Sequence, residues 1–352
     1  MGGTGYGEVG VGVRDQAGAL AAVGRHLGPT LGLAGARTLT PFGHYASVVQ
    51  VRDDLAIAIC TDGVGTKTIV ASMLDRYDTI GFDCVAMNVN DLLCVGARPV
   101  AMVDYLGVNS LDERRADAIL EGLGRAAAVA GIAIPGGEIA QLPEIIGSDG
   151  RTPGDERAFD LVGTSIGTVH PERTILGGAI RPGDALIGLA SSGIHSNGLT
   201  LARRVLLGSG AYRLEDEVGV LGRTLGEELL EPTLIYVKGI TAMWDAGIET
   251  RGLAHITGDG LANLRRLKRE VGYVIEELPQ PPAIFGLIQE TGGIGNEEMF
   301  NVFNMGTGFV AIVPDGEVDA AIERAGAAGY GARRIGTVVD DPGLLRIEPA
   351  GS

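Results

Sequence analysis

Apolar positions along the chain switch repeatedly between helical and strand spacing. Residues 13–27 (VRDQAGALAAVGRHL) repeat at helical spacing, and two apolar runs, 45-YASVVQV-51 and 55-LAIAIC-60, read as strands joined by a hairpin at Arg52–Asp54. Helical patterns near 66–75 and 78–95 follow, then a strand at 99–108, a helix over 111–130 and strands at 132–136 and 159–169. Pro171 and Pro182 punctuate a new block that opens with the strand 185-ALIGLA-190. It continues with helices after 195-HSNGLTLARRVLL-207 and after Pro232, and with a strand–helix–strand over 308–314, 316–328 and 333–339. The expected organisation is an α+β, strand-rich N-terminal domain over 1–170 and an α/β domain over 171–352.

Composition narrows the class. A chain of 352 residues with 45% hydrophobic and 20% charged residues can bury a large core. The 57 glycines are scattered among periodic segments and read as turns and close backbone approaches. A formal charge of −16 without a basic run argues against nucleic acid as a partner. No stretch approaches eighteen uninterrupted apolar residues and the first residues lack a signal pattern, so the expectation is a soluble, cytoplasmic protein without a membrane partner. Cys60, Cys84 and Cys94 are odd in number, lack CxxC spacing and read as buried thiols.

Chemistry gathers at glycine-bearing turns. In 61-TDGVGTK-67 an acid, two glycines and a lysine end a buried strand, offering a carboxylate, uncovered backbone N–H groups and a cation within one turn. It is not a phosphate loop of the Walker kind, because threonine precedes lysine. A tight turn with a surface lysine explains the motif equally well. The helical stretch 78-DTIGFDCVAMNVNDLLCVGARP-99 holds Asp78, Asp83 and Asp91 with no cation before Arg98, and Asn88 shares a face with Asp91 beside Asn90. Such acids must be paired, hydrogen-bonded or bound to metal, a polar stripe over a loop being the plainer alternative. In 135-PGGEIAQLP-143, Glu138 follows paired glycines. Two turn acids and a helical acid suit a hard, oxygen-ligated cation such as magnesium better than zinc. The turn 191-SSGIHSNG-198 precedes a helix and can direct hydroxyls and N–H groups at an anion, whereas its lone His195 is more often structural in such a place.

In order, TDGVGTK, NDLLCVGARP, GGEIAQLP, SSGIHSNG, LLEPTLIYVK, AHITGDG and FNMGTG resemble the motifs of phosphoribosylformylglycinamidine cyclo-ligases, over nearly the whole chain. The opening 6-YGEVGVGVRDQAGAL-20 is similar to the family's N-terminal segment. The resemblance implies a homodimer whose N-terminal strands form a shared barrel, with ATP and Mg²⁺ as cofactors and formylglycinamidine ribonucleotide as substrate. It implies catalytic roles for Asp62, Lys67 and Asp91, and metal-binding roles for Asp62, Asp91 and Glu138. Nucleotide or substrate contacts are implied for Gly63, Val64, Gly65, Thr66, Asn90, Gly137, Glu138, Ser192, Gly193, His195, Ser196, Asn197, Thr257 and Gly258.

The chain departs from the common pattern at 41-PFGHYA-46, at Ile139 and Gln141, at Asp259 in place of glycine and at Met305 in place of cysteine. The rival readings are a related ATP-dependent enzyme such as a thiamine-monophosphate kinase, and a nucleotide-binding paralogue without turnover. A nicotinamide dehydrogenase lacks support, since no GxGxxG opens a helix after a strand.

Overall fold

The computed structural model describes residues 13–35, 37–147, 155–208 and 210–348. Part of the N-terminal segment singled out above, residues 6–12, lies outside them. The first half carries α1 (Val13–Leu27), β1 (Arg37–Thr38), β2 (Ser47–Arg52), β3 (Leu55–Gly63), α2 (Lys67–Leu74), α3 (Ile80–Leu93), β4 (Arg98–Val108), α4 (Glu113–Ala130), β5 (Gly137–Gln141) and β6 (Phe159–Val169). Its strands form one sheet in the order β1-β2-β3-β6-β4-β5, antiparallel except for the β4–β5 pair. The hairpin is present, with Ser47 opposite Ile59 and Gln50 opposite Ala56.

Strand alternation gives this sheet two unlike faces. Ala56, Ala58 and Cys60 are buried on the inner face, while Ile59, Val100, Val103, Tyr105, Ile139 and Ile166 stay 38–46% exposed. Helix α3 lies against β3, β4 and β6, and α4 packs on α3. The two helices cross closely at glycines: a Cβ on Gly81 would meet the Leu123 backbone nitrogen at 2.1 Å. Of the 14 residues of α3, 13 are buried, so the helix has no solvent face on which its acids could be hydrated.

The second half carries β7 (Ala185–Ala190), α5 (Leu199–Leu206), β8 (Glu217–Val218), β9 (Arg223–Thr224), α6 (Leu225–Leu229), α7 (Val237–Asp245), β10 (Gly252–His255), β11 (Gly272–Ile275), α8 (Ala283–Gly292), α9 (Asn296–Val302), β12 (Thr307–Val313), α10 (Val318–Ala327), β13 (Ala332–Val339) and β14 (Leu345–Ile347). Its main sheet runs β10-β12-β7-β13-β11-β14. Every residue of β12 is buried, and all but the last of β7, as their unbroken apolar runs require. Helices α7 and α10 pack together, and α10 covers β7 and β13. Contacts from α7 and β10 to α3 bring the two halves together.

The expected strand at 132–136 is not formed. Only Ala133 bridges, to Ala101, and the ladder with β4 begins at Gly137. Pro135 has no N–H for a ladder. All three cysteines are buried and free. No helix among the described residues is long and apolar enough to cross a membrane.

Candidate active site

The turn after β3 is anchored from α3. Asn88 accepts from the Asp62 N–H at 3.2 Å and donates to the Asp62 carbonyl at 3.0 Å, so one side chain fixes both backbone groups of the strand-end acid. Gly163 on β6, opposite Asp62, makes room for it: a Cβ there would meet Asn88 Nδ2 at 2.6 Å. The Asp62 carboxylate accepts from the Gly63 N–H at 2.8 Å. Val64 is buried and its N–H reaches the Leu161 carbonyl, Gly65 adopts φ of 71°, and the Thr66 hydroxyl meets that of Thr200 at 3.0 Å. Burial, reinforced by the negative charge of Asp91, pushes the Asp62 pKa up to about 6, against the pull of the Gly63 N–H.

Asp91 projects from α3 toward the second sheet and finds a partner there. Its Oδ1 lies 2.9 Å from Nδ1 of His255, the last residue of β10, and its Oδ2 faces the Cys60 thiol at 3.8 Å. His255 Nε2 is 3.4 Å from Asn90 Nδ2, which also donates to the Leu234 carbonyl at 2.9 Å. An amide donor beside Nε2 places the ring hydrogen on Nδ1, where it binds the Asp91 carboxylate. The Asn90 Oδ1 meanwhile accepts from the Tyr236 N–H at 2.9 Å. Asn90 is therefore a tie between the halves of the chain, and its amide is fully occupied.

Lys67 sits in a similar tie. Its ammonium lies 2.8 Å from Asp83 Oδ1, with both side chains fully excluded from solvent, and it also donates to the Glu231 carbonyl. The same Asp83 oxygen accepts from the Thr233 N–H at 3.0 Å, the Thr233 hydroxyl at 2.6 Å and the Ser196 hydroxyl at 3.2 Å. The motif lysine is thus neither a surface residue nor a cation open to the groove.

The turn over 191–198 is held from within. Asn304 donates to the carbonyls of Gly193 and Ile194 and accepts from the Ser191 hydroxyl, and the Ser192 hydroxyl donates to the Pro232 carbonyl. His195 adopts φ of 66° and accepts from the Ser192 N–H through Nε2 at 3.2 Å, while its Nδ1 is buried without a partner. Burial holds its pKa well below the usual range, so its ring is neutral. Asn197 approaches Gly258, and the Thr257 hydroxyl points to Asn263 Oδ1 at 3.4 Å.

Sheet alternation separates the acids. Asp62, Gly163, Asp104 and Gly137 form one row across four strands, and a Cβ on Gly137 would meet Asp104 Oδ1 at 2.4 Å. Asp104 is buried on that inner face, and burial raises its pKa. Glu138 is one residue further along, opposite Tyr105, and therefore belongs to the open face. Among the described residues no three acids, histidines or cysteines gather as a metal cluster. Asp62 and Asp91 do fit a hard cation, because two neighbouring carboxylates in a partly dry site repel each other until one is protonated or a cation binds.

Sequence reasoning missed Asp104, His255 and Arg266. His255 stands within the quoted AHITGDG, but nothing local ties it to an aspartate 164 positions away. Arg266 joins two of the departures from the common pattern: its guanidinium lies 5.1 Å from the Tyr45 ring centre and 3.2 Å from Asp259. His44, beside Tyr45, has both ring nitrogens sealed without a partner, and burial lowers its pKa to about 4. A cavity of about 690 Å³ opens elsewhere, between Arg98, Thr168–Arg173 and Trp244–Thr250.

The fold and site define an AIR synthase related protein: that family's N-terminal domain matches residues 43–169 and its C-terminal domain residues 181–346. More narrowly, the chain belongs to the phosphoribosylformylglycinamidine cyclo-ligase family. It is 50% identical over 309 residues to the Thermococcus kodakarensis cyclo-ligase, spanning 88% of this chain and 86% of that one. With the Methanothermobacter thermautotrophicus cyclo-ligase it shares 47% over 310 residues, 88% and 87% of the two chains. The fold is also that of AaThiL complexed with AMPPCP and TMP, at 16% identity, a TM-score of 0.62 and 95% coverage of each chain. The Stenotrophomonas maltophilia thiamine-monophosphate kinase matches with 19% identity and a TM-score of 0.60, over 94% of this chain and 97% of that one.

Proposed function

We propose that this protein closes the imidazole ring of aminoimidazole ribonucleotide, using ATP to activate the amide oxygen of formylglycinamidine ribonucleotide and releasing ADP and phosphate. The carrying observation is the pair Asp62 and Asp91, each fixed by its own scaffold, Asn88 for one and His255 for the other, at the seam between the two sheets. Near 50% identity to proteins named as this cyclo-ligase supports the assignment.

An amide oxygen is a poor leaving group. Phosphorylating it converts it into one, after which an internal nitrogen attacks the same carbon, the C–O bond breaks and phosphate departs. Such a reaction asks for positioned charges more than for a protein nucleophile. Asp62 and Asp91 would hold the magnesium ion, which supplies charge neutralisation at the transferring phosphoryl group. Glu138, on the open face, is not used in this arrangement. The Gly63–Thr66 turn brings backbone close to the substrate, and the turns at 192–197 and 257–258 line the opposite side of the seam. Lys67 and Asn90 serve by fixing the halves of the chain around it.

The protein works as a homodimer in this reading, the open apolar face of the first sheet being covered by a second copy to complete a barrel. The decisive experiment supplies formylglycinamidine ribonucleotide and ATP and scores both ADP and aminoimidazole product. ADP without ring product would instead favour a kinase related to the fold neighbours.

A further inference from the structure

With Lys67 enclosed between Asp83 and Glu231, the turn after β3 offers a phosphorylated ligand no side-chain cation alongside the proposed magnesium ion. Another cation stands by the Thr257–Gly258 turn: Arg266, whose guanidinium is paired with Asp259, the residue that follows Gly258. It is braced on two sides, by the Tyr45 ring at 5.1 Å and by Asp259, whose Oδ2 accepts from Nη2 at 3.2 Å. Tyr45 is itself fixed, its hydroxyl donating to the Asn263 carbonyl at 3.2 Å. The Arg266 side chain is 36% exposed, and no other hydrogen bond uses its remaining N–H donors among the described residues.

We propose that Arg266 is a phosphoryl-binding residue, and that Asp259 and Tyr45 hold its planar fork toward the seam. This rests on the reading above for the identity of the ligands, though not for their chemistry: a fork with free N–H groups pairs with two oxygens of a phosphate monoester or polyphosphate. Asp259, where the common pattern has glycine, and the 41–46 turn then act together as a local support for this arginine.

The test is calorimetric titration of the full-length wild type, Arg266→Ala, Arg266→Lys and the exposed neighbour Arg265→Ala. The ligands are formylglycinamidine ribonucleotide, its dephosphorylated nucleoside, and a non-hydrolysable ATP analogue with Mg²⁺. Arg266→Ala is expected to weaken one phosphorylated ligand roughly 10- to 100-fold and leave the nucleoside unchanged. Arg266→Lys should recover part of the loss, and Arg265→Ala should bind as wild type. Loss confined to the ribonucleotide assigns its 5′-phosphate, and loss confined to the analogue assigns the nucleotide phosphates. Affinities within twofold of wild type for both ligands overturn the proposal, and Arg266→Lys at wild-type affinity overturns it if the alanine variant does not fold. Should wild-type protein ignore the ribonucleotide, the proposed reaction fails, while the analogue and a titration with inorganic pyrophosphate still report on Arg266.

Discussion

Lys67 Nζ lies 2.8 Å from Asp83 Oδ1 in a pocket that excludes solvent from both side chains, and the remaining donors to that oxygen come from Thr233 and Ser196 in the second half of the chain. Removing one member of such a pair strands the other charge. Lys67→Ala is therefore expected to destabilise the fold by about 3–5 kcal/mol, read as a lower denaturant midpoint. An unchanged midpoint together with a raised Michaelis constant for the ribonucleotide would put the ammonium in the substrate groove instead.

Asp62 gives a pH signature whose sign is set by its raised pKa. The unfolded value is 3.8 and the folded value about 6, so between them the folded state holds the extra proton. The resulting stability is full below pH 3.8 and is lost as pH rises through 6. Near pH 7.5 ionised Asp62 thus costs on the order of 2–3 kcal/mol. Without added cation, Asp62→Asn should melt above wild type at pH 7.5, with the gap closing toward pH 4. A gap that widens on acidification would reverse the assigned shift. Magnesium affinity of the wild type should also rise from pH 5 to pH 7.5, as the cation displaces that proton.

How much of this was legible depends on the range of the interaction. Strand β6 (159–169) and strand β7 (185–190) follow their apolar patterns to the residue, because burial against a sheet is written locally. The buried state of α3 made it clear that its acids needed partners. Who the partners are was hidden: Asp83 takes up a lysine 16 positions back and a threonine 150 positions on, and Asp91 a histidine 164 positions on. The direction of Lys67 was misread for the same reason, since a lysine after a glycine turn looks solvated until the distant acid is known. Glu138 fell on the opposite face from Asp62 because the ladder starts at Gly137 rather than before Pro135, and one residue of register reverses a side chain.

The open face of the first sheet supplies a test of assembly. Ile59 and Ile166 are cross-strand partners there, each 40% exposed. Light scattering at micromolar concentration is expected to give twice the 36.3 kDa chain mass. Ile59→Lys should shift the mass toward one chain with little change in the intrinsic fold, because the substituted position faces outward. A wild type that stays monomeric would remove the shared barrel.

Asp91→Asn separates a metal ligand from a scaffold residue. The asparagine oxygen can still accept from His255 Nδ1, so the contact between α3 and β10 survives and the melting temperature should change little. The charge does not survive. If Asp91 holds the cation beside the transferring phosphoryl group, turnover should fall about 100- to 1000-fold, the usual cost of losing one stabiliser of developing charge, and half-saturation by Mg²⁺ should move to higher concentration. His255→Ala should do the reverse, because it leaves the carboxylate charged but releases the hydrogen bond that aims it. Its main loss is then in melting temperature, with the magnesium requirement retained. Near-normal turnover in Asp91→Asn, accompanied by a large drop in melting temperature, would make the carboxylate a structural partner of His255 and move the metal site away from α3.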